Sequence, residues 1–240
     1  MQAHQDQTFT LKFTFYASVS LVILTAITFA LAMLAVPPSG PYCPGGCMNY
    51  PYPDILKYYP RDYYWMYSAI FQLFTFIVFM VSNHITAATG KKLFSLMNVT
   101  FALLSAVVLL IAYFVQFSVV PVSVMKGESD GIAILTQYNG HGIFIAMEEL
   151  GYIAMSISFL FLAFVFSAKN RLEKSLRWLL LLPSIIIVIS FIFYSLKYGL
   201  DRDYRFEVTA ITVNWLVTIA AGILISIIVK KRIKNEISRP

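Results

Sequence analysis

Six long apolar runs constrain the fold of this chain more than any other feature. They cover residues 11–36, 64–88, 93–120, 142–167, 178–200 and 208–229. Each run has the roughly 20 residues that a helix needs to cross about 30 Å of hydrocarbon. None alternates with the two-residue period of a transmembrane β-barrel. The sequence therefore predicts an all-α fold: one integral membrane domain, residues 1–240, with a polytopic bundle of six transmembrane helices.

Composition excludes several other classes of protein. The chain is 59% hydrophobic and only 12% charged, whereas a soluble domain carries about 25% charged residues. This deficit argues against a soluble enzyme, a disordered chain and a nucleic-acid-binding protein. The first apolar run is longer than the 7–15 residues typical of a signal peptide. We therefore expect it to be retained as a helix, and we expect the lipid bilayer to be the main partner.

The distribution of Lys and Arg between loops predicts the orientation. With a cytoplasmic N-terminus, twelve of the eighteen basic residues lie inside and six lie outside. Basic residues are enriched in cytoplasmic loops, so both termini are predicted to be cytoplasmic, in a plasma or inner membrane. The outer loops, residues 37–63 and 121–141, are longer than the inner ones. Seven prolines in the first of them favour turns, so we expect structured outer loops.

Two cysteines lie close together in the first outer loop, at Cys43 and Cys47. Pro-Gly-Gly between them can turn tightly enough to join the sulfurs, and an outer loop meets an oxidising compartment. The sequence predicts a structural disulfide, which on the loop-entropy model contributes about 2 kcal/mol. The spacing differs from the Cys-x-x-Cys of redox enzymes. A metal would need two further ligands, and we predict no metal site.

An acid pair on the fourth helix, Glu148 and Glu149, is the strongest functional signal. The two residues lie about six positions, or roughly 9 Å, below the outer end of the helix. Acids at this depth must be protonated, paired or solvated, so we expect at least one to be protonated near neutral pH. Tyr152 lies one turn below both and can hydrogen-bond to either. Lys197 and Arg202, at the outer end of the fifth helix, can reach toward them.

Four other helices place polar side chains at a similar depth, roughly 8–12 Å below the outer boundary. These side chains are Gln72, Gln116, Tyr194 and Asn214. If they face inward, they form an outward-facing polar ligand pocket with Glu148, Glu149 and Tyr152. The alternative is that the amides and hydroxyls only join helices by hydrogen bonds, at about 0.6 kcal/mol each.

Aromatic residues crowd the outer end of the second helix. Six of them fall within ten residues: Tyr58, Tyr59, Tyr63, Tyr64, Trp65 and Tyr67. The simpler interpretation is an interfacial aromatic belt. The more specific one is an aromatic cage for an organic cation.

Three functions remain open on these observations. The first is binding or transport of a small amphipathic or cationic molecule, or of a lipid, with the acid pair as counter-ion or proton acceptor. Six helices are few for a secondary transporter, so this hypothesis includes a possible homo-oligomer. The second is an accessory or structural subunit that recognises a partner protein through its outer loops. The third is an intramembrane acid–base enzyme acting on a lipid-like substrate. No nucleotide-binding, hydrolase or zinc-protease motif is present, so we assign no catalytic residue and no cofactor.

Overall fold

Six long helices form the framework of the computed structural model, which describes residues 2–35 and 37–238. They are α1 (Gln2–Leu34), α2 (Tyr64–Ile85), α3 (Lys92–Ser118), α4 (Ile143–Val165), α5 (Arg171–Tyr198) and α6 (Tyr204–Ile237). All six regions are long and apolar enough to cross a membrane. No strand occurs in the described ranges. The predicted all-α, six-helix architecture is confirmed.

Helices α1, α5 and α6 each begin several residues before their apolar runs, and the last two bear on the candidate site. Helix α5 begins at Arg171 because Asn170 caps it: the side-chain oxygen of Asn170 accepts a hydrogen bond from the backbone N–H of Glu173 at 2.9 Å. Helix α6 begins at Tyr204, four residues before the apolar run. Glu207 therefore lies in the first turn of α6, in a region that the apolar run predicts to be a connection.

The helices pack as a ring with one peripheral member. Helices α1, α2, α3 and α4 contact one another in chain order, and α6 closes the ring by contacting both α4 and α1. Helix α5 packs against α4 and α6 from outside the ring. Its other face exposes alkyl side chains, including Leu182, Ile185, Val188 and Ile192. This is the surface expected of a helix that faces lipid.

Two glycines permit close contacts between helices. A Cβ atom at Gly222 of α6 would lie 2.6 Å from Cγ2 of Val22 on α1. A Cβ atom at Gly151 of α4 would lie 2.5 Å from Cγ of Leu109 on α3. Both distances are shorter than a carbon–carbon contact. Helix α6 therefore meets α1, and α4 meets α3, at positions where a side chain does not fit.

The two long connections, residues 37–63 and 119–142, lie at one end of the bundle, which we call the loop end. The short connection of residues 199–203 lies at the same end. The opposite end, which we call the basic end, carries eleven Lys and Arg residues within the described ranges: Lys12, Lys91, Lys92, Lys169, Arg171, Lys174, Arg177, Lys230, Lys231, Arg232 and Lys234. The two ends thus differ strongly in charge.

The first two of these connections form a packed unit, which we call the loop cap (residues 37–63 and 119–142). The disulfide between Cys43 and Cys47 is present, as predicted. A small apolar core joins the two segments; its members are Met48, Tyr52, Ile55, Val120, Ile132, Ala133 and Tyr138. The hydroxyl of Ser39 donates to the carbonyl oxygen of Tyr138 at 2.7 Å. The loop cap is therefore an ordered layer over the helix ends.

Candidate functional site

A cavity of about 360 Å³ lies beneath the loop cap, between α1, α4 and α6. This volume is at the small end of the range for ligand sites. Helix α1 and the segment after it contribute Phe29, Ala32, Met33, Ala35, Pro37, Pro38, Ser39 and Tyr42. The start of α2, its preceding loop and α4 contribute Asp62, Trp65, Phe144, Ile145 and Glu148. Gln137, Tyr138, Tyr204, Glu207, Val208, Ile211, Thr212 and Trp215 complete the lining.

Three carboxyl groups line this cavity: Glu148, Glu207 and Asp62. Their residues are 1%, 6% and 2% exposed. The carboxyl groups of Glu148 and Glu207 are close enough to interact with each other. Oε1 of Glu148 and Oδ2 of Asp62 are buried and accept no hydrogen bond from the described residues. Two residues of the lining therefore each have a buried carboxyl oxygen whose bonding capacity the described residues do not use.

Positive charge is scarce around these groups. Among the described residues, no Lys, Arg or His lies within ion-pair distance of Glu148 or Glu207. Asp62 pairs with its neighbour Arg61, whose Nε lies 2.8 Å from Oδ1 and whose side chain is 60% exposed. A buried carboxyl group without a cationic partner stays protonated unless a cation binds beside it, so this arrangement is compatible with a cationic ligand.

Aromatic rings form much of the remaining wall. Trp215 is central: its ring lies edge-on to Phe29 at 5.8 Å and to Trp65 at 6.1 Å between centroids. Phe144, Tyr138 and Tyr204 also line the cavity. Burial raises the pKa of the Tyr138 phenol well above its usual range, so this group stays neutral. Aromatic faces beside carboxyl groups are suited to binding an organic ammonium group.

A pair of tyrosines lies beneath Glu148. The hydroxyl groups of Tyr113 and Tyr152 are 2.8 Å apart, and the Tyr113 side chain interacts with Glu148. The ring of Tyr152 packs edge-on against Trp215, with 6.3 Å between centroids. Tyr152 therefore packs against Trp215, which lines the cavity, but does not line the cavity itself.

Glu149 points away from the cavity. Its Oε2 accepts a hydrogen bond from Nη2 of Arg202 at 3.3 Å. The guanidinium group of Arg202 also lies over the rings of Phe191, at 4.7 Å, and Phe206, at 5.7 Å. Arg202 thus reaches a glutamate as the sequence predicts, and the consecutive acids occupy different environments.

The remaining predicted site residues bond within the protein or lie elsewhere in the bundle. Gln116 holds the loop cap: its side-chain nitrogen donates to the Leu135 carbonyl, and its oxygen accepts from the backbone N–H of Gln137 at 2.8 Å. The hydroxyl of Tyr194 lies 3.3 Å from that of Thr209.

Asn214 and Gln72 are buried in the bundle, outside the lining of the cavity. The side-chain nitrogen of Asn214 donates to the Tyr152 carbonyl at 3.2 Å, and its oxygen accepts from Ser156 at 3.1 Å. Of the seven residues that the sequence assigns to a ligand pocket, Glu148 alone lines the cavity. The other six lie outside the cavity lining. Their role in ligand binding stays a prediction, and their positions do not support it.

Glu207 and Asp62 line the cavity but were not predicted as site residues. Both lie just outside the six apolar runs, in regions predicted to be connections. A signal for Glu207 was available, since it precedes Asn214 by seven residues, or about two helical turns, and so shares its face if the helix begins early. Asp62 gave no such signal, because it lies beside Arg61 in a proline-rich connection.

Comparison with other proteins adds no relative: the chain matches no protein-family model, no curated protein and no solved structure.

Proposed function

We propose that this chain is a multi-pass membrane protein that binds a small amphipathic cation in the cavity beneath its loop cap. Its six apolar helices are compatible with a multi-pass membrane protein. The observation that carries the ligand proposal is the placement of Glu148 and Glu207 together in an aromatic-walled cavity, with no described basic side chain within ion-pair distance.

The chemistry of the cavity supports this ligand class. A cation between Glu148 and Glu207 supplies the counter-charge that the surrounding helices do not. The rings of Trp65 and Trp215 add apolar surface and the electron-rich faces that attract an ammonium group. A ligand with both a positive charge and apolar groups therefore matches the lining better than an anion or a neutral sugar.

We also propose that the loop end faces outward and that both termini are cytoplasmic. The excess of Lys and Arg at the basic end supports this orientation, and so does the disulfide at the loop end. Cysteine scanning tests it, with Lys126→Cys and Lys174→Cys placed one at a time in a variant that lacks the native pair. A membrane-impermeant maleimide applied to intact cells should label Lys126→Cys only. Labelling of Lys174→Cys alone contradicts the orientation.

Binding can be measured through the tryptophans of the cavity. The chain has three tryptophans, and a Trp178→Phe background leaves Trp65 and Trp215, which both line the site. Benzyltrimethylammonium is a suitable soluble probe. We expect a saturable change in tryptophan fluorescence for the purified protein in nanodiscs.

Three single variants identify the residues responsible. Glu148→Gln and Glu207→Gln should each weaken probe binding at least tenfold, because each replaces a carboxyl group that can ionise to balance the bound cation. Glu149→Gln is the matched control: it makes the same chemical change on the same helix, outside the cavity, and should bind within about twofold of the parent protein. Unchanged binding in both cavity variants contradicts the proposal. Equal losses in Glu148→Gln and Glu149→Gln show a general effect of the substitution on α4 and contradict the assignment of Glu148 to the site.

A further inference from the structure

The exposed parts of the cavity lining all lie on one side of the bundle. Among the described lining residues, the exposed ones are Met33, Pro37, Tyr42 and Val208. They belong to the end of α1, the segment that follows it and the start of α6. In contrast, the lining residues contributed by α4 and by the rest of the loop cap are buried or half-buried. The cavity therefore opens between α1 and α6, through an opening that we call the side mouth.

The position of the side mouth along the helices sets its level in a bilayer. Lys230 marks the basic end of the apolar part of α6, and Val208 lies 22 residues before it. At 1.5 Å per residue this is about 33 Å, close to the thickness of the hydrocarbon layer. Met33 lies in the last turn of α1. The side mouth, between α6, the end of α1 and the segment that follows α1, thus lies at the level where acyl chains meet headgroups.

Alkyl groups and one phenol form the rim of the side mouth. Met33 is 72% exposed and Val208 is 39% exposed. None of the exposed lining residues named above carries a formal charge, whereas Glu207 lies just inside, one position before Val208. A molecule that crosses this rim passes from an apolar surface to carboxyl groups within one helical turn. A cationic amphiphile has matching parts, since its apolar chain suits the rim and its charged headgroup suits the carboxyl groups inside.

From this arrangement we infer that the ligand is a single-chain cationic amphiphile. Its headgroup enters the cavity beside Glu207 and Glu148, and its hydrocarbon chain stays in the outer leaflet, beyond the side mouth. This inference rests on the proposed function and specifies its ligand class. The cavity volume of about 360 Å³ supports it, since a space of this size accommodates a headgroup and a short segment of chain but not a long one.

A series of trimethylammonium compounds tests where the chain lies. The butyl, octyl and dodecyl members are titrated against the Trp178→Phe protein in phosphatidylcholine nanodiscs, with benzyltrimethylammonium as the soluble reference. If the chain remains in lipid when the headgroup is bound, the Kd expressed as free aqueous concentration falls about fourfold for each added CH₂, up to dodecyl. The reason is that each added CH₂ leaves water on binding, whichever apolar phase receives it.

The alternative outcomes are distinct. An affinity that stops rising at short chain lengths places the chain inside the cavity and overturns the inference. An affinity independent of chain length leaves the chain in water and also overturns it. If benzyltrimethylammonium binds in either case, the proposed function survives while this inference fails. If neither the reference nor any member of the series binds, the proposed function itself is wrong.

A pair of matched variants tests the side mouth directly. Val208→Phe places a phenyl ring at the rim and narrows the opening. Leu216→Phe is the control, since it places the same ring at an exposed position of α6 outside the cavity lining. We expect Val208→Phe to weaken dodecyltrimethylammonium binding at least tenfold more than it weakens benzyltrimethylammonium binding. Leu216→Phe should change neither. Equal dodecyltrimethylammonium affinities in the two variants overturn the assignment of the side mouth as the path of the chain.

Discussion

The ion pair between Arg202 and Glu149 leads to a quantitative prediction about the start of α6. The two side chains are 24% and 15% exposed, and their Nη2 and Oε2 atoms are 3.3 Å apart. Arg202 also lies over the ring of Phe206, which directly precedes Glu207. The pair therefore links α4 to the connection that leads into α6.

Its magnitude follows from the separation and the burial of the charges. At 3.3 Å and an effective dielectric constant of about 20, the Coulomb attraction is about 5 kcal/mol, much of it offset by desolvation. Removal of one partner from a fully buried pair costs about 3–5 kcal/mol. Because this pair is partly exposed, we expect Glu149→Gln or Arg202→Met to lower the free energy of unfolding by about 2 kcal/mol.

A double-mutant cycle measures the interaction separately from the packing of each side chain. Unfolding of the four proteins by SDS in mixed micelles should give a coupling energy of about 1–2 kcal/mol. Lys197 supplies the control: its ammonium group lies over aromatic rings at the same end of α5 and forms no ion pair with Glu149. Lys197→Met combined with Glu149→Gln should be additive. A coupling energy below about 0.5 kcal/mol between Glu149 and Arg202 would refute the reasoning.

Three further predictions follow from the packing. Gly151→Ala should lower the free energy of unfolding by about 1–3 kcal/mol through overpacking, and Leu109→Ala in the same protein should restore part of that loss; two strictly additive losses in the SDS titration contradict this contact. Gln116→Leu removes the side-chain bonds that hold the loop cap, so limited proteolysis should cleave residues 132–139 faster while the helices stay protected; an unchanged cleavage rate contradicts this role. Replacing Cys43 and Cys47 by Ser should destabilise the connection of residues 37–63 by about 2 kcal/mol and speed hydrogen exchange at residues 39–52 only; faster exchange in the helices argues against a local effect.

Much of the architecture could be predicted from the sequence because it follows from length and polarity. Six apolar runs of sufficient length specify six helices, and five residues enclosing Pro-Gly-Gly specify a local disulfide. The helix ends were less predictable. Polar residues at the start of α6 resemble a loop in composition, yet Tyr204 and Glu207 are buried or half-buried beneath the loop cap. Their helical conformation depends on tertiary packing, which a hydropathy pattern does not report.

The candidate site could be predicted only in part because depth and direction are separate quantities. Glu148 and Glu149 have nearly the same depth, but consecutive helical residues point about 100° apart. One therefore faces the cavity and the other faces Arg202. Gln116 has the expected depth but points into the loop cap. Counting residues from a helix end gives the level of a side chain, while its direction depends on neighbours that are distant in the sequence.

The close contact at Gly222 has a mechanical consequence for the side mouth. Helices α1 and α6 are in close contact at Gly222, and both continue from there to the loop end. Val208 lies 14 residues, or about 21 Å, from this contact. At this distance, a change of 5° in the angle between the two helices moves the start of α6 by about 2 Å relative to α1. A side chain added at Gly222 would push the two helices apart at this contact, and it should change the width of the side mouth without touching the cavity.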